Sequence, residues 1–188
     1  MAHIGILYAS RHGQTGRIAE RIAAVLRKDG HVVQVRLCPR RGDAGLDLAR
    51  LDGLILGSSV HAGRHHREIA RFILEHRESL VLLDTAFFSV GLAAATPKGR
   101  AEAERCVNGL WAATAWRPRR VAIFAGALPY TRYRWFTRWL MKRIVAKMGG
   151  DTDVSRDYEY TDWGAVEAFA RAILLPTSPV VLVSHEAV

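Results

Sequence analysis

Short, largely apolar runs alternate with amphipathic stretches along most of the chain, and no other feature limits its fold so tightly. His3–Ala9, His31–Leu37 with Val32, Val33 and Val35, Gly53–Gly57 with Leu54, Ile55 and Leu56, Thr85–Val90 and Arg120–Ala127 read as strands. Thr15–Lys28, with Ile18, Ile22, Val25 and Leu26 on one side, reads as a helix, as do His66–Arg77, Pro97–Thr114 and Asp162–Leu174. Strands that are apolar on both faces need cover on both faces. The expectation is therefore an α/β fold with five parallel strands between two helical layers. A chain of 188 residues makes one such domain, expected over residues 1–175. Residues 128–161 break the rhythm, because connections in such folds usually run to about two to six residues. They read as an insertion with structure of its own, and residues 176–188 as a loose tail with Pro176 and Pro179.

Charge then limits the partners. Lys and Arg number 27 against 18 Asp and Glu, a formal net charge of +9. That surplus favours an anionic partner: nucleic acid, an anionic membrane face or a small acid. Cys38 and Cys106 are too few for a disulfide framework and fit a reducing compartment. No apolar run reaches the roughly 18 residues of a membrane span, and no signal peptide precedes the first strand. The expectation is a cytoplasmic protein, peripheral to the inner face of the cell membrane.

The first strand runs into Ser10-Arg11-His12-Gly13-Gln14-Thr15, and a helix follows. A hydroxyl- and glycine-bearing turn at a helix start suits a phosphate: backbone N–H groups point outward and the helix dipole favours negative charge. The plainer alternative makes Ser10 and Thr15 simple helix caps. The turn is neither a dinucleotide G-x-G-x-x-G nor a Walker loop. In a doubly wound sheet ligands bind beyond the carboxyl ends of the strands. Two further loops meet that condition, Ser58–Gly63 and Ser89–Ala94, and none of the three loops carries an acidic residue. His61, His65 and His66 cluster after the third strand, but no third ligand with a defined geometry is visible, so no metal is expected. His61 is the one expected near a cofactor.

From Pro129 to Met148 six basic residues and no acidic ones are interleaved with Tyr130, Tyr133, Trp135, Phe136 and Trp139. On a helix, Leu140, Met141, Ile144, Val145 and Met148 share one face, with Arg138, Lys142, Arg143 and Lys147 flanking it. An ordinary surface helix would explain the apolar face. Tryptophans among cations also suit a membrane interface, and interleaved aromatics suit single-stranded nucleic acid. A membrane surface or a substrate is expected here, and nucleic acid is not. Arg132, Arg134, Trp135, Arg138, Trp139 and Lys142 are the candidate contacts.

The first loop resembles the phosphate loop of flavodoxins. The whole chain, over about residues 3–174, more closely resembles the flavodoxin-like, quinone-dependent protoporphyrinogen IX dehydrogenases. That resemblance is carried by the loop 10–15, Gly57-Ser58-Ser59-Val60-His61-Ala62-Gly63, Phe88-Ser89-Val90, Trp116-Arg117-Pro118, Gly149-Gly150-Asp151-Thr152-Asp153 and Tyr160-Thr161-Asp162-Trp163. Its most specific part is Ala125-Gly126-Ala127-Leu128-Pro129-Tyr130 followed by Arg132-Tyr133-Arg134-Trp135, which ordinary flavodoxins do not have. The resemblance implies a strand order 2-1-3-4-5 with a helical insertion after the fifth strand. It implies flavin mononucleotide (FMN) on Ser10, Arg11, His12, Gly13, Gln14, Thr15, Ser58, Ser59, Val60, His61, Gly63, Ser89, Val90, Gly91 and Leu92. It implies oxidation of protoporphyrinogen IX in haem biosynthesis, with menaquinone or ubiquinone as acceptor; the loops themselves offer no Asp/Glu pair for acid–base work. Three positions depart from the family's pattern: Ser10 for Thr, His12 for Asp and Gly91 for Asn. The alternatives are an NAD(P)H:quinone reductase of the same fold, or an electron-transfer flavodoxin. Such carriers are typically acidic, the opposite of this chain. A basic binding module without flavin is a third.

Overall fold

A computed structural model describes residues 1–128, 130–132, 135, 139, 143 and 153–173. Five long strands, β1 (His3–Ala9), β2 (Val32–Leu37), β3 (Gly53–His61), β5 (Asp84–Gly91) and β6 (Arg120–Ala125), form a parallel sheet ordered β2-β1-β3-β5-β6. Counting only these strands, the order is the expected 2-1-3-4-5. A two-residue strand, β4 (Arg64–His65), folds back antiparallel on the end of β3. Helices α1 (Gln14–Lys28), α2 (Arg67–Glu75), α3 (Arg77–Leu82), α4 (Pro97–Thr114) and α5 (Trp163–Ala172) fill the connections.

Side chains alternate between the two faces as the pleat requires. Ile4, Ile6, Ile55 and Phe88 pack with Ile18 and Ile22 of α1 and Val166 and Phe169 of α5. Leu7, Leu54, Leu56 and Phe87 face the other way, against Ile69 and Phe72 of α2 and Leu110 and Trp111 of α4. Both faces are therefore dry, which is why the strands read as continuous apolar runs. At Gly57 the ring of Phe88 lies so close that a Cβ would come within 2.1 Å of it. Thr96 accepts the N–H of Gly99 at 3.1 Å, with Pro97 in the first turn, and this starts α4. Asp162 accepts the N–H of Ala165 at 2.9 Å and starts α5.

Several boundaries differ from expectation. The third strand does not stop at Gly57 but runs to His61, because Ser58 and Ser59 keep pairing with Ser89 and Val90. The expected helix 66–77 is two helices, broken at His76. The insertion is not helical throughout. It opens with β7 (Ala127–Leu128) and a 3-10 turn at Tyr130–Arg132, and it closes with β8 (Tyr158–Glu159), which pairs antiparallel with β7. Trp135, Trp139 and Arg143 are helical. Tyr130 is not a surface aromatic: it is fully buried and meets Tyr158 edge-on, ring centroids 6.2 Å apart. The remaining expected contacts of the insertion (Arg134, Arg138, Lys142 and the Arg132 side chain) and the tail 176–188 lie outside the described residues.

Candidate active site at the carboxyl ends of the strands

The loop after β1 is shaped by its own backbone. Gly13 has φ +91°, a left-handed conformation that other residues adopt only with strain. Ser10 Oγ accepts the Gly13 N–H at 3.0 Å, so the serine closes the loop and does not cap the helix. No side chain caps α1, and its first turn holds no acid. The N–H groups of that turn have no intrahelical partner, and a carboxylate is not there to compete for them. Thr15, one residue into the helix, is 1 % exposed, and its Oγ1 is buried without a hydrogen-bond partner. Neither residue is thus the simple cap that the plainer reading offered.

Three expected segments come together around one cleft. Ser10, Arg11, His12, Gln14 and Thr15 form one side; Ser59, Val60 and His61 at the end of β3 form the second; Val90, Gly91 and Leu92 after β5 form the third. A fourth wall, Gly126, Ala127 and Leu128, was not among the expected contacts. The same rule about strand ends points to it, since these residues follow the fifth long strand directly. Leu128 is held in place by packing with buried Tyr130. The Gly126 N–H donates to Gly91 O at 3.2 Å, which fixes the fourth wall to the third.

Other expected residues stand behind the cleft. Ser58 is fully buried, and its hydroxyl accepts the His66 N–H at 3.1 Å. Ser89 is also fully buried, with its Oγ lacking a partner. Gly63 is turned away in the β3–β4 hairpin, where its carbonyl accepts from Cys106 Sγ at 3.2 Å. The Gln14 amide points to the insertion, donating to Thr161 Oγ1 at 2.8 Å and Glu159 Oε1 at 2.9 Å. Burial would raise the Glu159 carboxyl, but hydrogen bonds from Gln14 and Arg17 outweigh it and hold it below the usual range.

The histidines divide. His12 and His61 meet edge-on across the cleft, centroids 6.4 Å apart. Burial lowers both, and neighbouring Arg11 lowers both further, so each is mainly neutral at pH 7. His65 is not at the cleft. Its ring meets Phe87 edge-on at 5.2 Å, and burial pushes it down to about 4. His66 joins Ser59 Oγ through Nε2 at 2.9 Å. Among the described residues no group of three or more His, Cys, Asp or Glu is placed to hold a metal.

A flavodoxin-domain profile matches residues 5–155. The protoporphyrinogen IX dehydrogenase (quinone) of Escherichia coli strain K12 is 35% identical over 169 residues, covering 89% of this chain and 92% of that protein. The chain belongs to the flavodoxin-like protoporphyrinogen IX dehydrogenase family. As a member it is an oxidoreductase. A Leishmania major protein of the same name is 32% identical, over 88% of this chain and 71% of its own. A short-chain flavodoxin associated with a non-canonical PDU bacterial microcompartment shares the fold, with a TM-score of 0.52 and 12% identity over 93% of this chain and 97% of that one. At Gly91 an added Cβ would meet only Val60, at an ordinary 3.4 Å.

Proposed function

We propose that the chain binds FMN in the four-walled cleft and uses it to oxidise protoporphyrinogen IX to protoporphyrin IX, passing the electrons to a membrane quinone. The observation that carries the reading is the buried, unpartnered Thr15 Oγ1 behind a glycine turn and an uncapped helix start. Leaving a buried hydroxyl unpaired costs about 1–3 kcal/mol unless something else supplies the partner. A phosphate on the loop 10–15 fits that need, with helix N–H groups, Thr15 and the Arg11 guanidinium around it. The end of β3 and the turn after β5 would hold the flavin ring. Val60, Val90 and Leu92 would be its apolar contacts, and among the described residues no acid stands on the cleft's walls.

When bound, a flavin supplies a two-electron acceptor between substrate and quinone. Removing six electrons and six protons from the tetrapyrrole takes three such rounds. This chain's own residues bind, orient and keep the site free of negative charge; among the described residues no paired carboxylates stand at the cleft for proton transfer. Trp135 and Trp139 support a peripheral membrane role. They are 79% and 51% exposed, and the Arg143 guanidinium lies over the Trp139 ring at 5.1 Å. Rings at headgroup depth beside cations suit an anionic leaflet. No helix among the described residues is long and apolar enough to cross a membrane.

The test is anaerobic. Flavin-loaded protein mixed with protoporphyrinogen IX should lose its visible flavin absorption, and a quinone analogue should restore it with fluorescent porphyrin as product. Rapid flavin reduction by NAD(P)H with no porphyrin formed would favour the reductase instead. Trp135→Ala with Trp139→Ala should leave flavin bound and reduce sedimentation with anionic vesicles; equal sedimentation would remove the membrane role.

A further inference from the structure

A second, larger hollow opens on the other side of the β1–α1 loop. It encloses about 690 Å3, within the roughly 300–1,000 Å3 of small-molecule sites. Its walls come from the β1–α1 loop, the residues after β2, and the β3–β4 hairpin running into α2. Four arginines line it, Arg11, Arg40, Arg64 and Arg67, against one acidic residue, Glu68. Glu68 is already engaged, with Arg40 at 3.8 Å and His66 Nδ1 at 3.6 Å. Among the described residues no ion pair involves Arg11, Arg64 or Arg67. The Cys38 thiol in the same wall is pushed up to about 11 by burial, so it adds no negative charge. A concave surface lined with uncompensated cations concentrates an anionic ligand. Arginine is the side chain best matched to a carboxylate, through two parallel N–H donors.

The hollow is not separate from the cleft. Ser10, Arg11 and His61 line both, so the two spaces share a wall one loop thick. A ligand that straddles that wall must be apolar at one end and doubly anionic at the other. Protoporphyrinogen IX has that division: an apolar macrocycle, with two propionates on adjacent rings at one edge. We propose that the basic hollow takes the two carboxylate arms of the substrate, with Arg64 and Arg67 as their partners. The macrocycle then lies over His61 toward the apolar wall of the cleft. This inference rests on the proposed reaction and places the carboxylate contacts on the β3–β4 hairpin and α2, away from the insertion.

The test reads binding as well as turnover. Protoporphyrin IX, the stable product, carries the same two propionates and can be titrated by fluorescence into flavin-loaded protein. Arg64→Gln with Arg67→Gln should raise its Kd about ten- to a hundredfold and raise the KM for protoporphyrinogen IX alike, with flavin content and quinone KM unchanged. The dimethyl ester of the porphyrin should bind wild type more weakly, and the double substitution should weaken it no further. Arg64→Lys with Arg67→Lys should recover part of the loss. Equal porphyrin affinity in wild type and the Gln variant overturns the placement while leaving the reaction standing. So does an ester that suffers as much as the acid. If NADPH binds wild type and loses affinity in the variant while porphyrin does not, the hollow serves a nucleotide phosphate and the proposal falls. If wild type neither binds porphyrin nor has its flavin reduced by protoporphyrinogen, the reaction itself is wrong and the placement falls with it.

Discussion

The cleft and the hollow sit on either side of one loop, and both favour anions by different means. In the cleft the donors are neutral and buried: helix N–H groups freed by the Gly13 turn, and the hydroxyl of Thr15. In the hollow they are full charges in contact with water, as exposed Arg11, Arg64 and Arg67 show. Dipoles in a low-dielectric pocket are little screened and hold a ligand in one geometry. Solvated guanidinium groups act over a longer range and weaken once the Debye length falls below about 10 Å. The first arrangement suits a cofactor that stays, and the second a substrate that arrives and leaves.

Replacing Thr15 by Val separates the two spaces most strongly. Losing a hydroxyl donor to a phosphate dianion removes about 1.5–3 kcal/mol, so the FMN Kd should rise about ten- to a hundredfold. The flavin-free protein should melt higher, because the unpaired Thr15 Oγ1 no longer has to be buried. Calorimetry and flavin titration on the same sample check both signs. A variant with an unchanged Kd would take the phosphate off this loop. Salt gives the next largest contrast. Between about 0.05 and 0.5 M salt, porphyrin affinity should fall about fivefold or more, and flavin affinity should change by less than twofold. Parallel curves would mean that both spaces rely on the same kind of charge.

A smaller effect separates the residues within the cleft. His12 sits below its ordinary pKa through burial and through the charges of Arg11 and His61. A phosphate beside it favours the protonated ring, so binding takes up a proton, and FMN affinity should strengthen as pH falls from about 7.5 to 6.5. Protonation of the phosphate itself opposes this only nearer pH 6. His12→Asn should flatten the slope by about two- to fivefold over that window. Identical slopes would put His12 out of reach of the phosphate. His65 makes an internal control for the cleft, because it does not line it. Its folded value, about 4, lies below its unfolded one, so stability is complete above about pH 6.5 and is lost as pH falls toward 4. The loss reaches about 3 kcal/mol at most.

The parallel sheet was readable because both of its faces are buried. Each long strand except the half-polar edge strand β2 is largely an apolar run, and α1 shows a clean one-sided stripe. The end of β3 was not readable, since Ser58 and Ser59 look like loop residues. Only the structure shows Ser58 taking the His66 N–H while its backbone continues the ladder. The hairpin that follows needs Ala62 and Gly63 both at positive φ, and alanine gives no such signal. Helix α3 has six residues and exposes Val81 and Leu82, so its periodicity is blurred. Glycines and hydroxyls announced the phosphate side of the cleft. The wall Gly126–Leu128 was visible as a motif, but its contact with the cleft depends on a bond to Gly91, distant in sequence. The basic hollow drew no notice, because its arginines come from three separated segments.

The pairing of Ala127 with Glu159 and of Leu128 with Tyr158 has a consequence for how this protein can change over time. The two ends of the intervening segment are held one strand spacing apart, about 4.8 Å, by a two-rung ladder. A chain that leaves and re-enters a domain at one point imposes almost no tension on it. Its length enters the free energy only logarithmically, at about 0.6 kcal/mol per doubling. Apart from Tyr130, whose packing holds Leu128, the segment can therefore lengthen, shorten or be exchanged while the sheet and the cleft stay as they are. The fold is built as a chassis with a socket, and what is fitted there is free to follow the surface on which a lineage works.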